Sequence, residues 1–275
     1  MKKIIIGSLL VIGVALAFAG KWYLNRNNYE PLPFWQASNE QSTIQVDHSQ
    51  WQEVLDEYLI SDDPSGVNFV DYTSLAEEPD LLNDYVTKMQ ALDPRELNRS
   101  QQFAYWVNLY NALTMKVIVE NYPVSSILKI SSSAVPSGPW DDLVAIIQGQ
   151  SITLNDIEHR ILRSYWSDHR IHFAVNCASF GCPNVQIDAF TAENTEDLLN
   201  SAAIEFLNHP RGLTAKGDDL VLSSIFKWYA SDFGDSEEEI VKTLTQYVDD
   251  PALKSKLAQV GSIEYDYDWS LNDFK

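Results

Sequence analysis

Apolar residues recur at helical spacing along much of the chain, and the longest such stretch lies near its middle. Between Glu96 and Tyr122 aromatic and aliphatic side chains occupy almost every turn. Pro123 ends the pattern, because proline cannot continue a helix. Other segments with the same period are predicted as helices at residues 49–60, 155–165 and 193–208 and in a segment that ends near Phe233.

Extended segments are predicted to be short. Residues 143–154 alternate around Gln148-Gly149-Gln150, a pattern typical of a β-hairpin, and a second hairpin is expected around Gly217. Residues 171–175 are apolar and partly β-branched, which favours a buried strand that leads towards Cys177. Because helices dominate, the predicted fold class is α+β, a helix-rich single domain with a small antiparallel or mixed sheet.

The first 19 residues carry a targeting pattern. Lys2 and Lys3 precede an uncharged apolar run from Ile4 to Ala19, which ends in Ala-Phe-Ala, the arrangement of a secretion signal. The run of about 16 residues is shorter than the roughly 20 that a permanent membrane helix needs. Residues 1–19 are therefore predicted to be a signal peptide, or alternatively a signal anchor held in the membrane through residues 4–19. Both interpretations place the protein in the periplasm or on the outer face of the inner membrane.

The rest of the chain is predicted to hold an arm and one domain. Residues 20–47 are polar with scattered prolines and indicate a linker or N-terminal arm, and residues 48–275 are predicted to form a single globular domain. Apolar residues make up 45% of the 275 residues, enough for a large core. The net charge of −20 argues against nucleic acid as a partner, because no cluster of Lys and Arg is present to bind phosphates.

The segment from Arg170 to Pro183, RIHFAVNCASFGCP, contains both cysteines of the chain, Cys177 and Cys182. Cys177 follows the predicted strand and precedes small residues, so backbone amides at the start of a loop or helix would lower its thiol pKa and favour a nucleophile. In an oxidising compartment the two cysteines could instead form a disulfide. The C-x4-C spacing lacks the second ligand pair of a structural zinc motif, so no metal and no cofactor are predicted.

A nucleophilic cysteine needs a base and a group that orients the base. His172 lies on the predicted strand, where it would point away from Cys177, whereas His159 lies beside Glu158 on the predicted helix that precedes the strand. Cys177, His159, His172 and Glu158 are the predicted catalytic residues, with the choice of histidine left open. The residues predicted to bind or orient a ligand are Asn108, Asn111 and Asn176, with Tyr110 and Trp106 as pocket walls.

Five ordered segments of the chain resemble hallmarks of the DUF547 family, whose name marks its activity as unassigned. The resemblance covers about residues 50–240 and implies a cysteine-protease-like fold, similar to that of papain or of transglutaminases. The segments are 67–75 (VNFVDYTSL), 102–113 (QFAYWVNLYNAL), 154–163 (LNDIEHRILR), 170–183 (RIHFAVNCASFGCP) and 222–234 (LSSIFKWYASDFG).

Two functions of different kinds follow. The first is an exported cysteine-dependent hydrolase or acyltransferase that acts on an amide or thioester. The alternative is a non-catalytic binding or scaffold domain with a Cys177–Cys182 disulfide, in which some of the eight Trp and thirteen Tyr recognise a partner. The expected substrate or partner is a small molecule, peptide or glycan that the sequence does not identify further.

Overall fold

The computed structural model describes residues 29–131, 137–217, 219–259 and 261–275. The predicted secretion signal, residues 1–19, lies outside these ranges. Within them, no helix is both long enough and apolar enough to span a bilayer.

Helices are the main secondary structure of the described chain, and the predicted α+β class is confirmed. The longest helix, Arg99–Glu120, begins at an Asn98 side chain that accepts the Gln101 N–H, and it is buried along almost its whole length. A π-helix, Asp156–Leu162, replaces the α-helix expected there. The α-helices span Ser49–Tyr58, Tyr72–Glu77, Asp80–Ala91, Arg99–Glu120, Arg163–Trp166, Ile171–Ala174, Thr195–Leu207, Ile225–Trp228, Ala230–Phe233, Glu237–Thr245 and Pro251–Leu257.

Both predicted hairpins are present, and the strands form small sheets. The strands are β1 (Leu59–Ile60), β2 (Phe69–Val70), β3 (Ala145–Ile147), β4 (Gln150–Ile152), β5 (Leu213–Lys216), β6 (Asp219–Ser223) and β7 (Ile263–Asp266). Gln148 and Gly149 have positive φ angles of 48° and 74°, which suits the tight two-residue turn between β3 and β4. β1 pairs with β2, β3 with β4, and β5 with β6, all antiparallel, whereas β6 and β7 are parallel, which makes that sheet mixed.

The strand predicted for residues 171–175 is wrong, because Ile171–Ala174 is a short α-helix. The Asp168 side chain accepts the Arg170 N–H, and the Asp168 carbonyl accepts the Ile171 N–H. These two bonds fold residues 168–171 into a turn from which the helix continues. Residues 171–174 are buried on every side, and a short apolar run of this kind does not distinguish strand from helix by its period. The argument that His172 points away from Cys177 along a strand therefore fails.

Buried apolar side chains form two clusters that meet at this short helix. Ile171 and Ala174 belong to a large cluster around the central helix Arg99–Glu120. Phe173 belongs to a second cluster, built from the helix Thr195–Leu207, the β5–β6 hairpin and the helices that follow. The backbone that leads into Cys177 is consequently fixed from both sides.

The described part of the predicted arm, residues 29–47, packs against the domain. Trp35 is buried and its ring meets Trp106 edge to face, with 5.3 Å between ring centroids. The Leu32 N–H donates to the Arg160 carbonyl and the Leu32 carbonyl accepts the Tyr165 hydroxyl at 2.7 Å. These contacts cover the outer side of the π-helix.

Replacement of Leu113 by Ala tests the central role of the long helix. Leu113 is 1% exposed, so its truncation should lower the free energy of unfolding by about 2–5 kcal/mol in urea denaturation. Leu143→Ala is the matched control, because Leu143 is 58% exposed and its loss should change stability by less than about 0.5 kcal/mol. Equal effects of the two substitutions would contradict the central position of the helix.

Candidate functional site

A narrow pocket lies where the two apolar clusters meet. Its volume is about 50 Å³, enough for one or two water molecules, so only a thin group of a ligand can enter it fully. Cys177, Cys182, His172 and Glu158 all line it. Six of its thirteen lining residues are Tyr or Trp: Tyr110, Trp140, Trp228, Tyr229, Tyr267 and Trp269.

The Cys177 sulfur is surrounded by hydrogen-bonding groups. Its polar partners among the described residues are Tyr267 Oη at 2.9 Å, Ser179 Oγ at 3.3 Å and Cys182 Sγ at 2.7 Å. Burial alone would raise the pKa of the Cys177 thiol, but hydrogen bonds from Cys182, Ser179 and Tyr267 favour the thiolate and lower the pKa below its ordinary value. None of these partners is an imidazole.

The environment of Cys182 favours the protonated thiol, in contrast to that of Cys177. Cys182 is 4% exposed, and burial together with its proximity to Cys177 raises the pKa of its thiol well above the ordinary value. The two sulfurs are not bonded to one another. The disulfide that the scaffold alternative requires is therefore not formed in this structure, although the sulfurs are close enough to react.

Asparagine side chains hold the loop that carries both cysteines. Asn176 Nδ2 donates to the Pro183 carbonyl at 2.7 Å, and its Oδ1 accepts the Ala178 N–H at 2.7 Å, which closes the loop on itself. Asn111 on the central helix accepts the Asn176 N–H at 2.8 Å and donates to the Ala174 carbonyl at 2.9 Å. Asn111 and Asn176 thus position Cys177 instead of facing a ligand.

The C-terminal segment supplies Tyr267 and runs along the cysteine loop. The Gly181 N–H donates to the Asp268 carbonyl at 2.9 Å, and the Phe180 N–H donates to the Ser270 carbonyl at 2.7 Å. A Cβ atom at Gly181 would lie 2.9 Å from the Asp268 backbone, so glycine permits this close approach. Burial raises the pKa of the Tyr267 phenol well above its ordinary value, which keeps the hydroxyl protonated and able to donate to the sulfur.

Glu158 extends from the π-helix into the interior beside the pocket. Thr153 Oγ1 accepts the Asp156 N–H, and Asp156 Oδ2 accepts the Thr153 N–H, a reciprocal cap that fixes the start of this segment. The Tyr110 hydroxyl donates to Glu158 Oε2 at 3.1 Å. Burial alone would raise the pKa of Glu158, but the His159 and His172 imidazoles and the Arg163 guanidinium lower it well below the ordinary value.

His172 lies between two carboxylates. Its Nε2 is 2.7 Å from Asp232 Oδ2, whereas its Nδ1 is 3.6 Å from Glu158 Oε1, which is longer than an ordinary hydrogen bond. Its ring stacks on Tyr229 with centroids 4.1 Å apart. Arg163 donates to both oxygens of Asp232, at 2.5 and 2.7 Å. Burial opposes ionisation of Asp232, but these bonds from His172 and Arg163 lower its pKa well below the ordinary value.

His159 is buried but does not line the pocket. Its Nδ1 is 3.7 Å from Glu158 Oε1 and 3.3 Å from Arg163 Nη1, and its ring is near Tyr29 and Tyr229. Of the two candidate bases, His172 is therefore the one that shares the pocket with Cys177.

Other predicted ligand-binding residues have structural roles. Asn108 exchanges two hydrogen bonds with the backbone of Phe190, at 2.7 and 3.0 Å, and does not line the pocket. Trp106 is a core residue, and only Tyr110 of the two predicted aromatic walls lines the pocket. The sequence interpretation missed Tyr267, Asp232, Ser179 and Tyr229. Ser179 lies within the segment 170–183 and Tyr229 and Asp232 within the segment 222–234, so the family resemblance was the sequence signal that included them.

No group of three or more His, Cys, Asp or Glu side chains suited to a metal ion occurs in the parts of the chain that the structure describes.

Residues 94–207 match the profile of the family described as "Protein of unknown function, DUF547". The chain contains a DUF547 domain. This match includes the central helix, the π-helix and the cysteine loop, whereas Tyr229, Asp232 and Tyr267 follow it. No curated protein and no solved structure is significantly similar to the chain. The resemblance to cysteine-protease-like folds therefore stays a prediction.

Asp232→Asn tests the buried charge network. Because the pKa of Asp232 is lowered in the folded protein, its stabilising effect is complete above the ordinary carboxyl pKa of about 4 and is lost as the pH falls below that value. The variant should be less stable than the parent by about 1.5–3 kcal/mol at pH 7. This difference should shrink below about pH 4 in urea denaturation followed across pH.

The control for this experiment is Asp62→Asn, which changes an exposed carboxylate on the loop after β1. It should leave the pH dependence of unfolding unchanged. A difference between the Asp232 variant and the parent that stayed constant from neutral to acidic pH would contradict the proposed ion pairing.

Proposed function

We propose that this protein is an exported cysteine-dependent acyl-transfer enzyme, a hydrolase or acyltransferase that acts on an amide or thioester. The observation that carries the proposal is the environment of Cys177, a half-buried sulfur in an aromatic pocket with hydrogen-bond donors directed at it. Groups that stabilise a thiolate convert a weak nucleophile into an effective one. Export is supported by the basic and apolar pattern of residues 1–19.

In the first step the Cys177 thiolate attacks the carbonyl carbon, and negative charge moves from the sulfur to the carbonyl oxygen. The Tyr267 hydroxyl and the Ser179 side chain, which donate to the sulfur in the resting state, then donate to that oxygen. Such donors stabilise charge that develops in the transition state. Collapse of the tetrahedral intermediate breaks the carbon–leaving group bond, the leaving group departs as a thiolate or as an amine that takes its proton from water, and an acyl thioester remains on Cys177.

The second step transfers the acyl group to water or to another acceptor. His172 Nε2 bonds the Asp232 carboxylate, whereas Nδ1 is too far from the Glu158 carboxylate for an ordinary hydrogen bond. His172 takes a proton from the acceptor through Nδ1, and Asp232 and Glu158 stabilise the resulting imidazolium. Arg163 keeps Asp232 ionised in this arrangement.

A non-catalytic binding domain is the second candidate. It is favoured by the aromatic wall, in which Trp228, Tyr267 and Trp269 pack together with ring centroids 4.6–5.4 Å apart. Such a surface suits a peptide or glycan partner. The two candidates differ in the expected reactivity of the reduced Cys177 thiol.

Tyr267→Phe tests the stabilisation of the thiolate. Loss of a hydrogen bond to a charged sulfur should raise the pKa of Cys177, so that the midpoint of iodoacetamide alkylation against pH moves up by about one to two pH units. The rate of alkylation of the reduced protein is measured across pH, with Cys177 modification quantified by peptide mass spectrometry.

Tyr265→Phe serves as the matched control, since Tyr265 lies on β7, two residues before Tyr267, but does not line the pocket. Its alkylation profile should equal that of the parent. An unchanged profile in the Tyr267 variant would remove this phenol from the activation of Cys177.

An activated ester tests the chemistry itself. Reduced protein treated with p-nitrophenyl acetate should acquire one acetyl group on Cys177, and this group should be absent from Cys177→Ala. In His172→Gln the acetyl group should form but be hydrolysed about a hundredfold or more slowly, because general base catalysis is lost. His169→Gln is the control, because His169 bonds Tyr247 and does not line the pocket.

Two results would oppose the enzyme reading. A folded, reduced protein that acquires no acetyl group would favour the binding domain. Equal hydrolysis of the acetyl group by the parent and the His172 variant would remove His172 from the second step while leaving Cys177 as the nucleophile.

A further inference from the structure

Acyl transfer by Cys177 uses Cys182 only as a hydrogen-bond partner of the thiolate, although the two sulfurs are 2.7 Å apart. Cys182 is buried, lines the same pocket and has a pKa opposite in direction to that of Cys177. A half-buried reactive thiol beside a buried second thiol is the arrangement found where a thiol is oxidised and then resolved.

The loop framework keeps the two sulfurs together. The Cys177 N–H donates to Cys182 Sγ at 2.9 Å, which stabilises negative charge on Cys182 when its proton is lost. Asn176 bridges to the Pro183 carbonyl, so the two ends of the loop stay close. Arg211 donates to the Phe180 carbonyl at 3.2 Å and to Asn184 Oδ1 at 2.5 Å, which fixes the middle and the far end of the loop from outside.

We infer that Cys182 is a resolving thiol, which converts Cys177, once oxidised by a hydroperoxide, into a reversible Cys177–Cys182 disulfide. The inference goes beyond acyl transfer and does not require it. It makes the pocket redox-sensitive: the dithiol form presents the nucleophile, and the disulfide form conceals it.

The chemistry balances in two steps. The Cys177 thiolate attacks one oxygen of the hydroperoxide, the O–O bond breaks, and Cys177 becomes a sulfenic acid while the peroxide leaves as an alcohol or water after protonation. Cys182 sulfur then attacks the Cys177 sulfur, the S–OH bond breaks, and the Cys182 proton leaves with the hydroxyl group as water. A dithiol reductant returns two electrons and two protons and restores both thiols.

The geometry requires little movement for the second step. A disulfide bond is about 2.05 Å long, so the sulfurs need to approach by about 0.7 Å from their present separation. The resolving step therefore competes well with a second oxidation of the sulfenic acid to sulfinic acid, which a dithiol does not reverse.

The test uses the whole protein after reduction and removal of the reductant. A small excess of hydrogen peroxide should remove both thiols together, as measured by alkylation under denaturing conditions. The intact mass should fall by two hydrogen atoms, and peptide mapping should find Cys177 linked to Cys182. Dithiothreitol should restore both thiols.

Cys182→Ser is the matched variant. Its oxidised Cys177 should react with dimedone, the reagent for sulfenic acids, and should pass to sulfinic acid at least about tenfold faster than in the parent. Circular dichroism verifies that the variant is folded. If it is not, the peptide map of the oxidised parent tests the inference alone, through the presence or absence of the Cys177–Cys182 link.

Oxidised parent protein in which Cys177 becomes sulfinic acid while Cys182 remains open to alkylation would overturn the inference. So would a folded Cys182→Ser variant whose Cys177 passes to sulfinic acid no faster than Cys177 of the parent. Either result can coexist with acetylation of Cys177 by p-nitrophenyl acetate, so failure of the redox inference is distinguishable from failure of acyl transfer.

Discussion

The ionised side chain of Glu158 is the constraint on which the pocket depends, because a buried carboxylate is costly unless cations and hydrogen-bond donors surround it. Tyr110 supplies the donor from the central helix, and His172 approaches from the short helix. His172 in turn requires Asp232, and Asp232 requires Arg163. Each step recruits a different segment of the chain, so compensation of one charge brings the π-helix, the short helix Ile171–Ala174 and the helix Ala230–Phe233 together. The pocket beside them is a consequence of that convergence.

Neutral hydrogen bonds then set the position of Cys177 within this charged frame. Asn111 fixes the backbone on both sides of Val175, and Asn176 closes the cysteine loop, so the central helix holds the segment that leads into Cys177. The C-terminal segment completes the site, because Tyr267 reaches the sulfur from 90 positions along the chain. The family match ends at residue 207, and it therefore includes Cys177 but neither Tyr267 nor the Asp232 carboxylate that holds His172. The second apolar cluster is what brings these later residues to the DUF547 domain.

The sequence predicted those parts of the fold whose signal is local. Helical period located the central helix to within three residues at its start, and Gly149 and Gly217 marked the hairpins. Period failed at Ile171–Ala174, where burial on every side removes any polar face from the pattern. Within the candidate site, Cys177, Glu158 and His172 were predictable because they fall in two neighbouring segments of chemically capable residues. Tyr267 and Asp232 were not, because an isolated tyrosine or aspartate carries no spacing signal and its role arises only when distant segments pack. For the same reason the sequence did not show that Asn108 would bond the Phe190 backbone or that Trp106 would lie in the apolar core and not at the pocket.

The groups that make Cys177 reactive also expose it to oxidation, since a thiolate is the form that attacks both carbonyl carbon and peroxide oxygen. A histidine partner would activate the thiol through a proton acceptor, which can move away once its proton is taken. Here two partners of the sulfur are hydroxyl groups, Ser179 on the cysteine loop and Tyr267 in the C-terminal segment, and backbone hydrogen bonds hold both segments in place. A stabilised thiolate is open to oxidation, and Cys182 is the one other thiol in the chain. Its burial prevents it from reacting with outside oxidants first, while its contact with Cys177 lets it react second. The order of the two reactions is therefore set by exposure, and the reversibility by the loop that keeps the sulfurs in contact.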